Sequence, residues 1–164
     1  MDSDISTPEK KREYNASLFS VVAPRYDFAT RALSFDKDKG WKRYILANLP
    51  EGEPGLILDV ATGTGDFIKG FQTRFPDSEI LGIDLNRDML LYSSDRLKGE
   101  RVSFSRQDMC AIGIRSGSAD LVSAGYALRN APDLRKALSE MYRVLKPGGC
   151  AVFLDFSKPA NRVF

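Results

Sequence analysis

The residues best suited to chemistry lie in one short segment of acidic residues, threonines and glycines. Residues 59–66 read Asp-Val-Ala-Thr-Gly-Thr-Gly-Asp and continue an apolar run, and Asp84 ends a second apolar run about 20 positions on. Glycines in such a turn let a ligand approach the backbone without meeting a Cβ atom. An acidic residue ending the next strand can accept both ribose hydroxyls of a nucleoside. The spacing therefore predicts a nucleoside-binding crevice at the carboxyl ends of neighbouring strands.

The turn also limits which nucleoside it can hold. Gly63 and Gly65 are followed by Ile68 where a dinucleotide-binding turn has its third glycine, and Asp66 stands where a P-loop has lysine. A carboxylate there would repel phosphates, whereas it would suit an ammonium or sulfonium group. S-adenosylmethionine (SAM) carries both cations and no phosphate. The turn therefore favours SAM, and an NAD-dependent oxidoreductase is the alternative that Ile68 argues against.

Composition excludes several other chemistries. The 164 residues include no histidine, which rules out Ser-His-Asp and Cys-His catalysis and every His-ligated metal site. The two cysteines, Cys110 and Cys150, are too few for a structural zinc site, so we expect reduced thiols and no bound metal. The net charge of +2 comes from 24 basic and 22 acidic residues mixed along the chain, which leaves no footprint for nucleic acid.

From residue 56 onward, strands alternate with segments of a dozen or more residues. Apolar runs predict strands at 56–60, 80–84, 102–105, 120–125 and 151–156. Apolar residues at helical spacing predict helices at 67–75, 88–97 and 134–145, the last of them ended by Pro147-Gly148-Gly149. The connections have the length that parallel crossovers need. The fold class is therefore α/β, a Rossmann-like parallel sheet with helices on both faces.

The remaining parts of the chain set the domain boundaries. Residues 1–13 predict a polar N-terminal tail, and residues 14–49 predict two or three short helices that cap the site, broken near Pro24 and near 36–40. Residues 50–164 form the predicted α/β domain. No apolar stretch approaches the roughly 18 residues of a membrane span, and the N-terminus is acidic and polar, so we expect a cytoplasmic protein.

Residues 58–66 resemble motif I of the class I SAM-dependent methyltransferases and, more narrowly, that of the ubiquinone/menaquinone biosynthesis C-methyltransferases. The resemblance spans about residues 18–160, and several motifs occur in the family's order. Four further segments carry it: Val22–Asp27, Trp41–Arg43, Leu128–Asn130 and the run 137–149 with Phe156–Pro159 after it.

The resemblance implies a role for individual residues of the cofactor site and a strand order of 3-2-1-4-5. The cofactor-binding residues it implies are Asp59, Ala61, Thr62, Gly63, Thr64 and Gly65 for the methionine and ribose, Asp84 for the ribose hydroxyls with Leu85 next to it in the cofactor site, and Asp108 with Met109 for the adenine. Together they predict that SAM lies across the first three strand ends.

Two further residues are implied in catalysis. Tyr26 would close over the cofactor from the N-terminal helices, and Arg129 would lie near the acceptor. A sulfonium methyl is already activated, so the enzyme mainly aligns it with a carbon nucleophile and excludes water. Because a guanidinium holds its proton above pH 12, we expect Arg129 to stabilise a phenolate while an ordered water accepts the proton.

The implied reaction is C-methylation of a quinone or hydroquinol precursor. Asp38 stands where the family carries a histidine, and Ile112-Gly113-Ile114 stands where it carries Leu-Pro-Phe. These two differences leave another small aromatic or lipid-like acceptor open. The family fold has seven strands and the chain stops at Phe164, so we expect the last two strands to be missing. A SAM-binding form without turnover is therefore a further alternative.

The expected partner is a small aromatic or prenylated quinol acceptor. Methyltransferases acting on nucleic-acid amines commonly carry Asn/Asp-Pro-Pro-Tyr after strand four, where this chain has Tyr126-Ala127-Leu128-Arg129, so no nucleic acid is expected. A prenylated acceptor would bring peripheral contact with a membrane. The apolar edge of strand 151–156 predicts a homodimer.

Overall fold

A computed structural model describes residues 7, 10, 37–97 and 99–156 of the chain. Helices and strands alternate along the described ranges except between β3 and β4, and one 3₁₀ turn precedes the last helix. The elements are α1 (Asp38–Ala47), β1 (Leu56–Val60), α2 (Asp66–Arg74), β2 (Glu79–Asp84), α3 (Arg87–Arg96), β3 (Val102–Arg106), β4 (Ala119–Gly125), the 3₁₀ turn Leu128–Asn130, α4 (Leu134–Val144) and β5 (Leu145–Leu154).

The described strands form one five-stranded sheet in the order β3-β2-β1-β4-β5. Every neighbouring pair is parallel. The predicted strand order and the Rossmann-like class are therefore confirmed. Because the chain reverses its direction of winding at β1, the crevice between β1 and β4 opens at their carboxyl ends, which is where ligands bind in such sheets.

The central strand β1 divides two hydrophobic cores. Leu58 and Val60 belong to the core on the α4 face of the sheet, while Ile57 belongs to the core beneath α2. All three side chains are completely buried, as expected for a parallel strand covered on both faces. The two cores hold β1 rigidly, so the turn that follows it starts from a well-defined position.

Helix α1 packs onto α2 and brings its side chains to the carboxyl edge of the sheet. A Cβ atom at Gly70 would lie 2.5 Å from Leu46 Cδ1, so glycine is what allows the two helices to approach. Helix α1 begins at Asp38, inside the predicted break near 36–40, and continues through Gly40. Asp38 lies in the first turn, where its charge complements the helix dipole. Apart from residues 7 and 10, the predicted tail and helices within 1–36 lie outside the described residues.

The border between α4 and β5 also differs from the sequence prediction. The helix ends at Val144, and Pro147-Gly148-Gly149 lies inside β5, where the register with β4 shifts between Ala119 and Leu121. The N–H groups of Gly117 and Ser118 donate to the carbonyls of Arg143 and Val144 and so satisfy the helix end. Within the described ranges, the structure contains no helix of the length and hydropathy that a membrane crossing requires.

Candidate cofactor-binding site

The turn after β1 has a left-handed backbone that only glycine adopts easily. The φ angles are +52° at Ala61, +54° at Gly63 and +78° at Gly65. A Cβ atom at Gly65 would lie 2.2 Å from Leu97 Cδ1, whereas at Gly63 the nearest atom would be 4.0 Å away. Gly65 is thus required by packing beneath the turn, while the backbone at Gly63 faces open space that a ligand could occupy.

Asp84, at the end of β2, holds this turn from the neighbouring strand. Its two carboxylate oxygens accept the backbone N–H groups of Gly63 at 2.9 Å and Asn86 at 2.8 Å. Burial raises the pKa of Asp84, and these two hydrogen bonds oppose that rise. Each carboxylate oxygen has a second lone pair, so Asp84 can still accept hydrogen bonds from the hydroxyl groups of a ligand.

Asp59, in β1, is only 2% exposed and lies beneath the same turn. Thr62 Oγ1 and Ser123 Oγ each donate to its carboxylate at 2.6 Å, one from the turn and one from the facing position of β4. Desolvation raises the pKa of Asp59 to about 6, with the two hydroxyls acting in the opposite direction. Asp59 therefore ties the turn to β4 and supplies a buried carboxyl at the base of the crevice.

The crevice beside the turn is lined by residues of α1, β1, α2 and β4. The lining residues are Lys42, Asp59, Ala61, Thr62, Gly63, Thr64, Asp66, Phe67, Gly125 and Tyr126. The structure thus brings together the predicted residues Asp59 and 61–64 around one opening. Gly65 packs beneath it, and Asp84 borders it through its hydrogen bond to Gly63.

Lys42 is a residue of this crevice that our sequence reasoning did not assign to the site. Its Nζ donates to Asp66 Oδ2 at 2.7 Å and to Asp38 Oδ2 at 3.4 Å. Asp66, which we expected to meet a ligand cation, thus has a protein cation as its partner. Trp41-Lys42-Arg43 was recognised as a family segment, but one sequence does not reveal that α1 packs against the first turn of α2.

The predicted adenine-side residues follow β2 and β3 at the same edge of the sheet. The backbone N–H of Gln107 donates to the carbonyl of Asp84, which fixes the segment after β3 beside the end of β2. Asp108 Oδ1 accepts the N–H of Cys110 at 2.8 Å, and Met109 packs against the core. Leu85 is 36% exposed, so an apolar side chain is available next to Asp84.

Arg129 lies beyond β4 in a group of aromatic side chains. Its guanidinium forms an ion pair with Asp155 and lies 5.7 Å and 5.4 Å from the ring centroids of Tyr126 and Phe156. Those two rings stack at 4.9 Å, and Trp41 meets Phe156 edge-on at 6.3 Å. Tyr126 has a φ of +56°, a strained conformation that often marks a functional site. Tyr26 lies outside the described residues.

The sheet order and the glycine turn together define a class. A SAM-dependent methyltransferase from Mesorhizobium loti superposes on the chain with a TM-score of 0.60 and 26% sequence identity. The match covers 68% of this chain and 51% of that one. The fold is that of a class I SAM-dependent methyltransferase.

The family follows from the sequence comparisons. Residues 7–164 match the ubiE/COQ5 methyltransferase family, and the chain belongs to it. A "Ubiquinone/menaquinone biosynthesis C-methyltransferase UbiE" of Geobacter sulfurreducens is 39% identical over 160 residues, which are 94% of this chain and 62% of that protein. A demethylmenaquinone methyltransferase of Thermus thermophilus is 40% identical over 149 residues, 90% of this chain and 68% of that protein. The predicted family is confirmed, with SAM as the cofactor of the class, and the chain spans about two thirds of these relatives.

The raised pKa of Asp59 predicts a specific dependence of stability on pH. The pKa rises from 3.8 in the unfolded chain to about 6 in the folded protein, so the folded state holds this proton more tightly. The stabilising contribution is complete below pH 4 and is lost as the pH rises through about 6. The free energy of unfolding of Asp59→Asn, measured with urea, should rise relative to that of the wild type as the pH increases from 4 to 7. We expect this relative increase to be on the order of 2–3 kcal/mol.

Asp120→Asn is the matched control for this experiment. Lys146 donates to Asp120 at 2.7 Å and lowers its pKa, so this carboxylate stabilises the fold above its ordinary pKa and the contribution is lost as the pH falls. The control should therefore lose stability at neutral pH, opposite in sign to Asp59→Asn. Parallel pH profiles for wild type and Asp59→Asn would contradict the assignment.

Proposed function

We propose that the chain is the catalytic SAM-binding part of a methyltransferase that transfers a methyl group to a ring carbon of a hydroquinol in quinone biosynthesis. The observation that carries the proposal is the turn 61–65 of a member of this family, with open space beside Gly63, tied to Asp59 through Thr62 and to Asp84 through Gly63. The names of the relatives support the acceptor class.

The residues around the turn fit SAM. Asp84 retains acceptor capacity for the ribose hydroxyls, and Leu85, Asp108 and Met109 follow the strand ends where the adenine would lie. The turn 61–65 would hold the methionine portion against its open backbone. Several carboxyls and no phosphate-binding lysine at the P-loop position suit a cationic, phosphate-free nucleoside.

When bound, SAM supplies a methyl group already activated on a sulfonium. The chain's part is then to align the acceptor carbon with that methyl and to exclude water. The rings of Phe156 and Trp41, each 38% exposed, meet edge-on and offer an apolar surface on which an aromatic acceptor can pack. This surface adjoins the crevice because the buried ring of Tyr126 stacks on Phe156 and also lines the crevice.

Arg129 is proposed as the group that stabilises negative charge on the acceptor oxygen. Its guanidinium lies over the rings of Tyr126 and Phe156, and its ion pair with Asp155 orients it there. Since guanidinium retains its proton in proteins, Arg129 lowers the pKa of the acceptor hydroxyl, and an ordered water takes the proton. Tyr26 stays a prediction as the residue that closes the cofactor site.

Binding of S-adenosylhomocysteine tests the cofactor proposal without requiring turnover. We expect calorimetry to show that Asp84→Ala weakens binding about 10-fold to 100-fold, since the variant removes a buried charged acceptor. Asp95→Ala, an exposed aspartate on α3, is the matched control and should bind as the wild type does. A folded wild type that fails to bind the nucleoside would refute the cofactor assignment.

Methyl transfer to a prenylated naphthohydroquinol tests the role of Arg129. We expect Arg129→Gln to lower kcat about 100-fold and to move the rate profile to higher pH, with unchanged affinity for S-adenosylhomocysteine. Arg129→Lys should restore part of the rate because it keeps a positive charge. Arg135→Gln, on the exposed surface of α4, should leave kcat unaltered. An unshifted pH profile in Arg129→Gln would argue against phenolate stabilisation.

We also propose a cytoplasmic homodimer that touches membranes peripherally to reach a prenylated acceptor. Within the described residues β5 pairs only with β4, and Phe153 on β5 is 39% exposed. An unpaired apolar edge favours association with another strand. Light scattering should give twice the 18.3 kDa chain mass, and Phe153→Lys should halve it. A wild-type chain that stays monomeric at all concentrations would exclude this dimer.

A further inference from the structure

The ammonium group of Lys42 occupies an unusual position at the mouth of the glycine turn. The Lys42 side chain is 14% exposed and reaches from α1 to Asp66 in the first turn of α2. Lys42 and Asp66 both line the crevice that also contains Gly63 and Thr64. The ion pair therefore faces the space in which a ligand of the turn would lie.

The charges around this ammonium are unbalanced. Asp38 and Asp59 are 3% and 2% exposed, and the Asp66 side chain is 37% exposed. Lys42 contacts Asp38 and Asp66 directly, and its charge also lowers the pKa of Asp59. Among the described residues that line the crevice, Lys42 carries the only positive charge. An anionic group entering there would have this ammonium as its cationic partner.

We infer that Lys42 and Asp66 together recognise the amino-acid end of the cofactor, an inference that rests on the proposed function. That end carries an α-carboxylate and an α-ammonium on one carbon, and the protein offers an ammonium and a carboxylate 2.7 Å apart. Lys42 would bind the carboxylate and Asp66 the ammonium, so the two pairs of charges align head to tail. Charge-assisted hydrogen bonds of this kind are about twice as strong as neutral ones.

Pairing within the protein prepares the site for this ligand. Because Lys42 and Asp66 already neutralise each other, neither ion is left alone in a partly buried place before binding. A zwitterion adds two further opposite charges and so leaves the net charge of the crevice unchanged. The same pair would not strengthen the binding of a nucleoside that lacks the amino-acid end. If Lys42 and Asp66 only linked α1 to α2, their substitution would affect both kinds of nucleoside alike.

Two nucleosides that differ at this end provide the test. S-adenosylhomocysteine carries the zwitterion and 5′-methylthioadenosine lacks it. Calorimetry should show that Lys42→Met weakens S-adenosylhomocysteine about 10-fold to 100-fold and changes methylthioadenosine by less than about twofold. Asp66→Asn should weaken the binding of S-adenosylhomocysteine about 10-fold and should likewise change the binding of methylthioadenosine by less than about twofold. Lys39→Met, on the exposed side of α1, should bind both nucleosides as the wild type does.

The outcomes separate this inference from the cofactor proposal. The role of Lys42 would be overturned if Lys42→Met weakened the binding of both nucleosides equally, or if it left the binding of S-adenosylhomocysteine unchanged. The cofactor proposal would still stand in that case, provided that the wild type binds S-adenosylhomocysteine. A folded wild type that binds neither nucleoside would overturn both proposals. If thermal melting shows that Lys42→Met is unfolded, Lys42→Arg and Asp66→Asn decide. The inference is supported if Lys42→Arg retains the wild-type preference for S-adenosylhomocysteine over methylthioadenosine and Asp66→Asn reduces that preference about 10-fold. Any other pattern overturns it.

Discussion

The hydrogen bond from the backbone of Gly63 to Asp84 is the contact on which the candidate site depends. It joins the turn after β1 to the end of β2 across 21 positions of sequence, and Asn86 occupies the other carboxylate oxygen. The turn at Ala61 and Gly63 is left-handed, and burial partly removes the N–H group of Gly63 from water. Without the carboxylate of Asp84, this N–H group would have no hydrogen-bond acceptor. The same carboxylate therefore shapes the turn and, in the proposed function, accepts the hydroxyl groups of the ribose.

Asp59 shows what this arrangement costs in stability. A carboxyl 2% exposed between β1 and β4 has a pKa raised to about 6, so its ionised form opposes folding at neutral pH. The hydroxyls of Thr62 and Ser123 reduce this cost but do not remove it. Positive φ angles at Ala61 and Tyr126 add strain at the ends of the same two strands. Strain and buried charge collect where the crevice opens, as is common in functional sites.

Local pattern was sufficient where a single element decided the outcome. The apolar run at 56–60 identified β1 to the residue, and the turn at 61–65 lines a crevice as predicted. Local pattern failed to give the bounds of helices where two elements compete for the same residues. Gly40 lies within α1 although it is a poor helix former, because Leu46 and its neighbours pack on the core under α2. Leu145 continues the helical spacing of α4, yet it pairs with Ala119 in β5.

The sequence by itself determined the class of ligand, because the glycines of a turn and the acids at strand ends act through local backbone geometry and parallel-sheet topology. The length of the connections also indicated a parallel sheet, and the resemblance to the methyltransferase family supplied the strand order. Tertiary structure alone decided which charges meet. Lys42 reaches Asp66 across 24 positions and Arg129 reaches Asp155 across 26. Such pairs depend on how helices and strand ends pack together, which no local spacing encodes.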